Sequence, residues 1–192
     1  MRMARWQPDA RERLVAAALE LFNERGYDET TVAQIAERAG LTKSTFLRHF
    51  PDKRDVLAAG QDALARLMRE GIAAAPADAT PLDTVCSGLK SAAAAFTPDK
   101  REFAPRLQAM VATSAELQER YALKQIGLAL AMAEALQTRG IPGPTAALAA
   151  ELGALAFKTA YARWIEPDET RNLGTLACEA LRELHSAAAN LG

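Results

Sequence analysis

Two histidines and two cysteines in 192 residues are a thin supply for chemistry. Metal sites and nucleophilic catalysis need His, Cys, Asp or Glu gathered at recognisable spacings. CxxC, HExxH, GxSxG and a glycine-rich phosphate loop are all missing. The expectation is no catalytic residue, no metal and no cofactor, and Glu116–Glu119 and Glu166–Glu169 read as solvated helix charges. No run of about 18 uninterrupted apolar residues occurs, so no membrane span is expected. The N-terminus shows no hydrophobic core of a secretion signal, and a cytoplasmic protein is expected. There, Cys86 and Cys178 read as free, buried thiols. Alternating β-branched runs are hard to find, which argues against sheet. No excess of one charge exists either, since the formal net charge is −1.

What the chain does have is apolar content of 49%, much of it alanine and leucine, a mix that favours helices. The predicted fold class is all-α: a three-helix N-terminal domain, then a larger helical domain. Leu14, Ala17, Ala18, Leu21 and Phe22 recur at helical spacing, and Gly26 ends that first helix. Pro51-Asp52 opens a fourth helix over about 52–75, with Gly60 as a bending point. The domains divide at 1–57 and 58–192. Thr80-Pro81-Leu82-Asp83 is a cap, a first-turn proline and a first-turn acid. Pro105 predicts a kink or break between Phe103 and Leu107. A long helix ends near Arg139 at Gly140-Ile141-Pro142-Gly143-Pro144, and two Ala/Leu-rich helices follow.

Residues 31–50 organise the rest. Thr31 and Gln34 have capping-box spacing. Gly40 suits the positive φ that ends a helix, and Thr42 caps the next one. In that second helix Phe46 and Phe50 lie one turn apart and face inward. Ser44 and Arg48 then face outward, flanked by Thr45 and Leu47, with Lys43 in the first turn. A stubby helix with a thin buried side and a basic, hydroxyl-rich outer side suits a DNA major groove. From Arg38 to Pro51 there is no acidic residue, and local basicity is what phosphate binding needs.

Thr30-Thr31-Val32, Ile35-Ala36, Ala39-Gly40-Leu41, Thr45-Phe46 and His49-Phe50-Pro51-Asp52-Lys53 resemble the DNA-binding domain of tetracycline-repressor-type (TetR family) transcriptional regulators. The likeness runs from about Asp9 to Leu57. It implies a helix-turn-helix reader followed by a helical effector-binding and dimerising domain. It further implies that Thr31 and Thr42 hold phosphates near helix N-termini, that Lys43, Ser44 and Thr45 approach base edges, and that His49 and Lys53 touch the DNA backbone. The chain departs from the family at Leu47, where a tyrosine is common. Leu47 either covers the neighbouring helix or packs on a thymine methyl.

The expected function is a ligand-responsive DNA-binding regulator, a repressor, released from a palindromic double-stranded operator by a small, largely apolar effector. Expected effector contacts are Met68, Phe103, Leu107, Met110, Tyr121 and Trp164, with Arg106 as a polar anchor. A homodimer is expected through the last two helices, on faces carrying Ala146, Ala149, Ala150, Gly153, Ala154 and Phe157, and Leu173, Leu176, Ala177, Ala180, Leu181 and Leu184. The alternatives are a helical small-molecule-binding or catalytic protein with a non-functional helix-turn-helix, and an interaction module for RNA polymerase.

Overall fold

The computed structural model describes residues 10–97, 101, 104–105, 108–109, 111–112 and 115–191, with their side chains except 23, 57–61, 116 and 120. The described residues include no strand, and the helices whose bounds they fix are α1 (Ala10–Arg25), α2 (Val32–Arg38), α3 (Lys43–His49), α4 (Lys53–Ala73), α5 (Pro81–Ala93), α6 (Ala115–Thr138), α7 (Gly143–Trp164) and α8 (Leu173–Ala189). The chain divides into two compact units, Met1–Gly60 and Gln61–Gly192. The N-terminal arm and the expected break between Phe103 and Leu107 lie outside the described residues. Gly60, expected as a bending point, sits within an uninterrupted α4.

In the first unit a small core forms where three helices turn their apolar sides together. Leu14, Ala18, Leu21 and Phe22 of α1 meet Ile35 and Ala36 of α2, Phe46 of α3, and Phe50 and Val56 beyond it. Capping fixes where the short helices begin. Thr31 Oγ1 accepts the Gln34 amide at 3.3 Å, and Gln34 Oε1 accepts the Thr31 amide at 2.8 Å. Thr42 Oγ1 accepts the Thr45 amide at 3.1 Å. Each cap stabilises its helix by about 1 kcal/mol. For helices of seven residues that matters, because nucleation is costly and few internal bonds offset it. Gly40, at φ +66, ends α2, and the following Leu41 amide returns to the Ala36 carbonyl at 2.8 Å.

The second unit is a bundle. α7 packs between α6 and α8, and α5 packs on α7 and α8. Its core runs from Met68 and Ile72 of α4 through Val85 and Leu89, Met132 and Leu136, and Phe157, to Leu176 and Leu181. Phe96 joins the ends of this core: its ring centroid lies 5.7 Å from Phe157, 5.9 Å from Tyr161 and 6.0 Å from Trp164.

Two expectations are corrected here. Cys86 and Cys178 are not free thiols; they form a disulfide joining α5 to α8, with Cα atoms 5.3 Å apart. Their sequence separation of 92 hid the pairing, which follows from the packing of α5 on α8. The alanine-rich faces assigned to a dimer contact are also mostly spent inside one chain. Ala146, Ala149, Ala150, Ala154, Phe157, Leu173, Leu176, Ala177, Ala180 and Leu181 are all buried in the bundle core. Short side chains let neighbouring helices approach closely, so alanine goes to the inside of this bundle. The larger residues Leu148 and Leu155 of α7 stay outside, 62% and 46% exposed.

Close approach is most severe where α4 crosses α5. A Cβ placed on Gly71 would lie 2.6 Å from the Ser87 carbonyl oxygen and 2.8 Å from the Gly88 Cα. Neither neighbour is a flexible tip. Overpacking there costs about 1–3 kcal/mol or more, and the better helix propensity of alanine returns at most about 1 kcal/mol. Gly71→Ala is therefore expected to lower the urea midpoint, and an unchanged midpoint would contradict the crossing.

Candidate nucleic-acid interface

The outer side of α3 follows from its inner side. Phe46 and Phe50 are buried, with ring centroids 5.6 Å apart, so the intervening residues must turn away. Lys43, Ser44, Leu47, Arg48 and His49 are exposed, and Thr45 is half-buried. Arg48 Nη2 donates to Thr45 Oγ1 at 3.1 Å, and Thr45 Oγ1 lies 2.9 Å from Thr42 Oγ1. These contacts hold the Arg48 stem along α3 while leaving most guanidinium donors unused. Lys43 has no partner among the described residues. Leu47 is 48% exposed, so it covers its neighbour only in part and presents an apolar edge to solvent.

Three other cations of this unit are occupied. Arg38 pairs with Glu24 at 2.7 Å and with Glu20 at 3.3 Å. These hydrogen bonds hold its pKa above the usual arginine value. Arg54 pairs with Asp52 at 2.7 Å. Lys53, expected on the DNA backbone, donates to the Tyr27 carbonyl at 2.7 Å and the Thr30 carbonyl at 3.0 Å. Its ammonium also sits 4.2 Å from the Tyr27 ring centroid. It therefore clasps the α1–α2 turn. Thr31 spends its hydroxyl on the α2 cap. The local basicity read from 38–54 thus shrinks to Lys43 and Arg48, with His49 beside them. Spacing in sequence could not reveal this, because Glu20 and Glu24 reach Arg38 from another helix.

Arg13 of α1 was not singled out from sequence. Its guanidinium donates to the Ala39 carbonyl and, at 3.5 Å, to the Gly40 carbonyl. It satisfies the carbonyl end of α2, where cations are favoured, and so fixes the turn into α3.

Of the expected effector contacts, Met68 is sealed in the core. Trp164, also buried, lines a surface cavity of about 440 Å³ with Phe96, Lys90, Arg101 and Leu173. Arg101 there donates to the Glu166 carbonyl at 2.7 Å and to the Glu169 carbonyl. Tyr121 is half-buried on α6. Phe103, Arg106, Leu107 and Met110 lie outside the described residues. In α7, burial first and the charge of Tyr121 second push the Tyr161 pKa up to about 12. Among the described residues no group of three or more His, Cys, Asp or Glu is placed to hold a metal. No helix there is long and apolar enough to cross a membrane.

Residues 14–59 match the family described as bacterial regulatory proteins, tetR family. The transcriptional regulator TcmR of Streptomyces glaucescens is 35% identical over 81 residues, 42% of this chain and 36% of TcmR. The transcriptional regulator BetI of Cronobacter sakazakii is 37% identical over 68 residues, 35% of this chain and 34% of BetI. The chain thus aligns with about a third of the length of these curated relatives. Among solved structures, SmeT, the repressor of the Stenotrophomonas maltophilia multidrug efflux pump SmeDEF, is similar over most of its length. Its complex with triclosan matches with a TM-score of 0.63 at 21% identity, covering 93% of this chain and 90% of SmeT. That likeness extends the shared fold through the second unit.

Proposed function

We propose that the chain, whose residues 14–59 match the tetR family of bacterial regulatory proteins, is a ligand-responsive transcriptional regulator. It acts in the cytoplasm by binding rather than by catalysis. In this reading it is a repressor that holds a palindromic operator and leaves it when a small, largely apolar effector binds. The observation that carries the reading is the outer side of α3, where Lys43, Ser44, Leu47 and Arg48 are exposed over a base of buried Phe46 and Phe50.

Each residue then takes a role that its geometry allows. Ser44 reaches base edges from the first turn of α3, Lys43 lies there between a base edge and a phosphate, and Leu47 packs on a thymine methyl. Arg48 and His49 meet phosphates, as does the N-terminal end of α3 around Thr42 and Thr45. Thr31 contributes by fixing the N-terminus of α2, whose free amides face a phosphate. Lys53 acts from behind by holding the turn before α2.

A reader with so few base contacts gains specificity as a homodimer over two half-sites. Leu148 and Leu155, with half-buried Leu152 between them, supply an apolar stripe along α7 for that contact. α4 begins in the first unit and ends in the second. The proposed switch is a shift of α4 on effector binding, which moves the two readers off the one-turn spacing of adjacent major grooves. The triclosan complex of SmeT supports a small-molecule effector for this fold.

The test is a gel-shift series on DNA from upstream of the chain's own gene. On the outer side of α3, Lys43 and Arg48 supply two cations per protomer, four per dimer. Counterion release then gives a slope of log affinity against log salt of about −3 to −4. Affinity should fall about a hundredfold between 50 and 200 mM salt. Binding indifferent to salt would overturn the proposal.

A further inference from the structure

Both cysteines of the chain are spent on one bridge between α5 and α8. In the proposed cytoplasmic setting thiols are kept reduced, and a bridge that forms there is transient and redox-sensing rather than a permanent staple. What the bridge restrains follows from its place on α5. Cys86 directly precedes Ser87 and Gly88, where α4 crosses α5 at backbone distance. The interlock is reciprocal. A Cβ on Gly71 would lie 2.6 Å from the Ser87 carbonyl oxygen, and a Cβ on Gly88 would lie 2.9 Å from the Met68 carbonyl oxygen and 2.9 Å from Ile72 Cγ1. Helices keyed this closely move together, because packed interiors do not deform smoothly. A shift of α4 therefore carries α5 with it, and α5 must then move on α8.

The seam between α5 and α8 permits that motion only while the sulfurs are apart. Small groups meet along it: a Cβ on Gly174 of α8 would stand 3.4 Å from Ala93 Cβ and 3.5 Å from Lys90 Cα, an ordinary contact. A disulfide holds its two Cα atoms within about 4.4–6.8 Å. These stand 5.3 Å apart, so a closed bridge leaves little travel.

We infer that Cys86 and Cys178 are a reversible thiol–disulfide lock: closed, it fixes α5 to α8 and, through the Gly71–Gly88 crossing, holds α4 still; open, it frees α4 to shift. The consequence for effector-driven release from DNA rests on the regulator reading; the lock itself does not. The oxidant is a hydroperoxide. Cys86, 7% exposed against 3% for Cys178, gives up its proton and attacks one peroxide oxygen. The O–O bond breaks, leaving a sulfenic acid and, from hydrogen peroxide, one water. The Cys178 sulfur then attacks the Cys86 sulfur, the S–S bond forms, the S–O bond breaks, and the hydroxide leaves with the Cys178 proton as a second water. The two thiols lose two electrons and two protons in all. Low-molecular-weight thiols reverse the step by exchange, leaving as their own disulfide and returning both protons. Both sulfurs are nearly covered, so either reagent enters through local opening of the seam, and the lock turns slowly.

The test uses the full chain in glutathione buffers, with thiols counted after acid quenching and hydrogen exchange followed on the native protein. Millimolar reduced glutathione should leave both thiols free within hours. Glutathione disulfide, or hydrogen peroxide once glutathione is removed, should close them within the same chain. Closing should slow amide exchange about tenfold or more along residues 68–72 of α4 as well as 84–92 of α5. Cys86→Ala combined with Cys178→Ala should exchange like the reduced chain in every buffer. The wild-type comparison decides the matter by itself if that variant does not fold. A bridge that persists in reduced glutathione would be a permanent staple, and thiols left free by both oxidants would be no lock; either result overturns the inference. Exchange along 68–72 that ignores the bridge would overturn it too, by cutting the link to α4. None of these readouts involves DNA. A failure of the operator gel shift therefore strikes the regulator reading, and a failure of the glutathione series strikes the lock.

Discussion

Replacing Lys43 and Arg48 together by alanine is expected to weaken operator binding about a hundredfold or more at low salt and to flatten its salt dependence. Both side chains are exposed. Neither supports the fold beyond the Arg48–Thr45 hydrogen bond, so stability should move by no more than about 0.5 kcal/mol. The reason for so large a loss is the inventory of cations. Arg38 is held by Glu20 and Glu24, Arg54 by Asp52, and Lys53 by backbone carbonyls. Lys43 and Arg48 are then the two side chains of α2, α3 and the turn after them left to neutralise phosphate. Removing both takes away four contacts per dimer, each worth about one unit of salt slope. Lys53→Ala gives the contrasting result. It should lower the melting temperature, because the α1–α2 turn loses its clasp, while the salt slope stays as it was. If the double variant kept the slope and Lys53→Ala removed it, the assignment of roles would be reversed.

The N-terminal unit was legible because its signals are local. The caps at Thr31 and Thr42, the turn at Gly40 and the Phe46–Phe50 pair all act within five residues, so spacing alone placed α2 and α3. What spacing could not show is which charges remain free. Arg38 and Lys53 look alike on paper to Lys43, and only the positions of Glu24 and of the Tyr27 carbonyl separate them. The second unit was legible as helices, but less so as faces. Alanine at Ala146, Ala150 and Ala154 reads equally as a contact between chains or within one. The short reach of alanine settles it in favour of tight internal packing. Gly71 and Gly88 carried no signal, since their role depends on one helix crossing another. Cys86 and Cys178 needed the same knowledge of packing.

Phe46→Ala is expected to abolish DNA binding by a different route, through loss of the first unit's fold. Phe46 is fully buried, and truncating a buried phenylalanine costs about 3–5 kcal/mol. A unit of this size holds about 0.05–0.15 kcal/mol per residue in total, so one such loss consumes most of its stability. The substitution also removes the partner of the Phe50 ring, 5.6 Å away, which anchors the end of α3. Hydrogen exchange should show protection lost across α1, α2 and α3 while amides of α7 and α8 stay protected, because those belong to the other compact unit. Phe46→Leu keeps an apolar side chain of similar reach and should restore most of the protection, since hydrophobic swaps near constant volume usually cost less than about 1.5 kcal/mol. Were Phe46→Ala to bind operator normally with α3 still protected, the outer side of α3 would not depend on its inner side. The exposed row from Lys43 to His49 would then have no fixed geometry from which to read a groove.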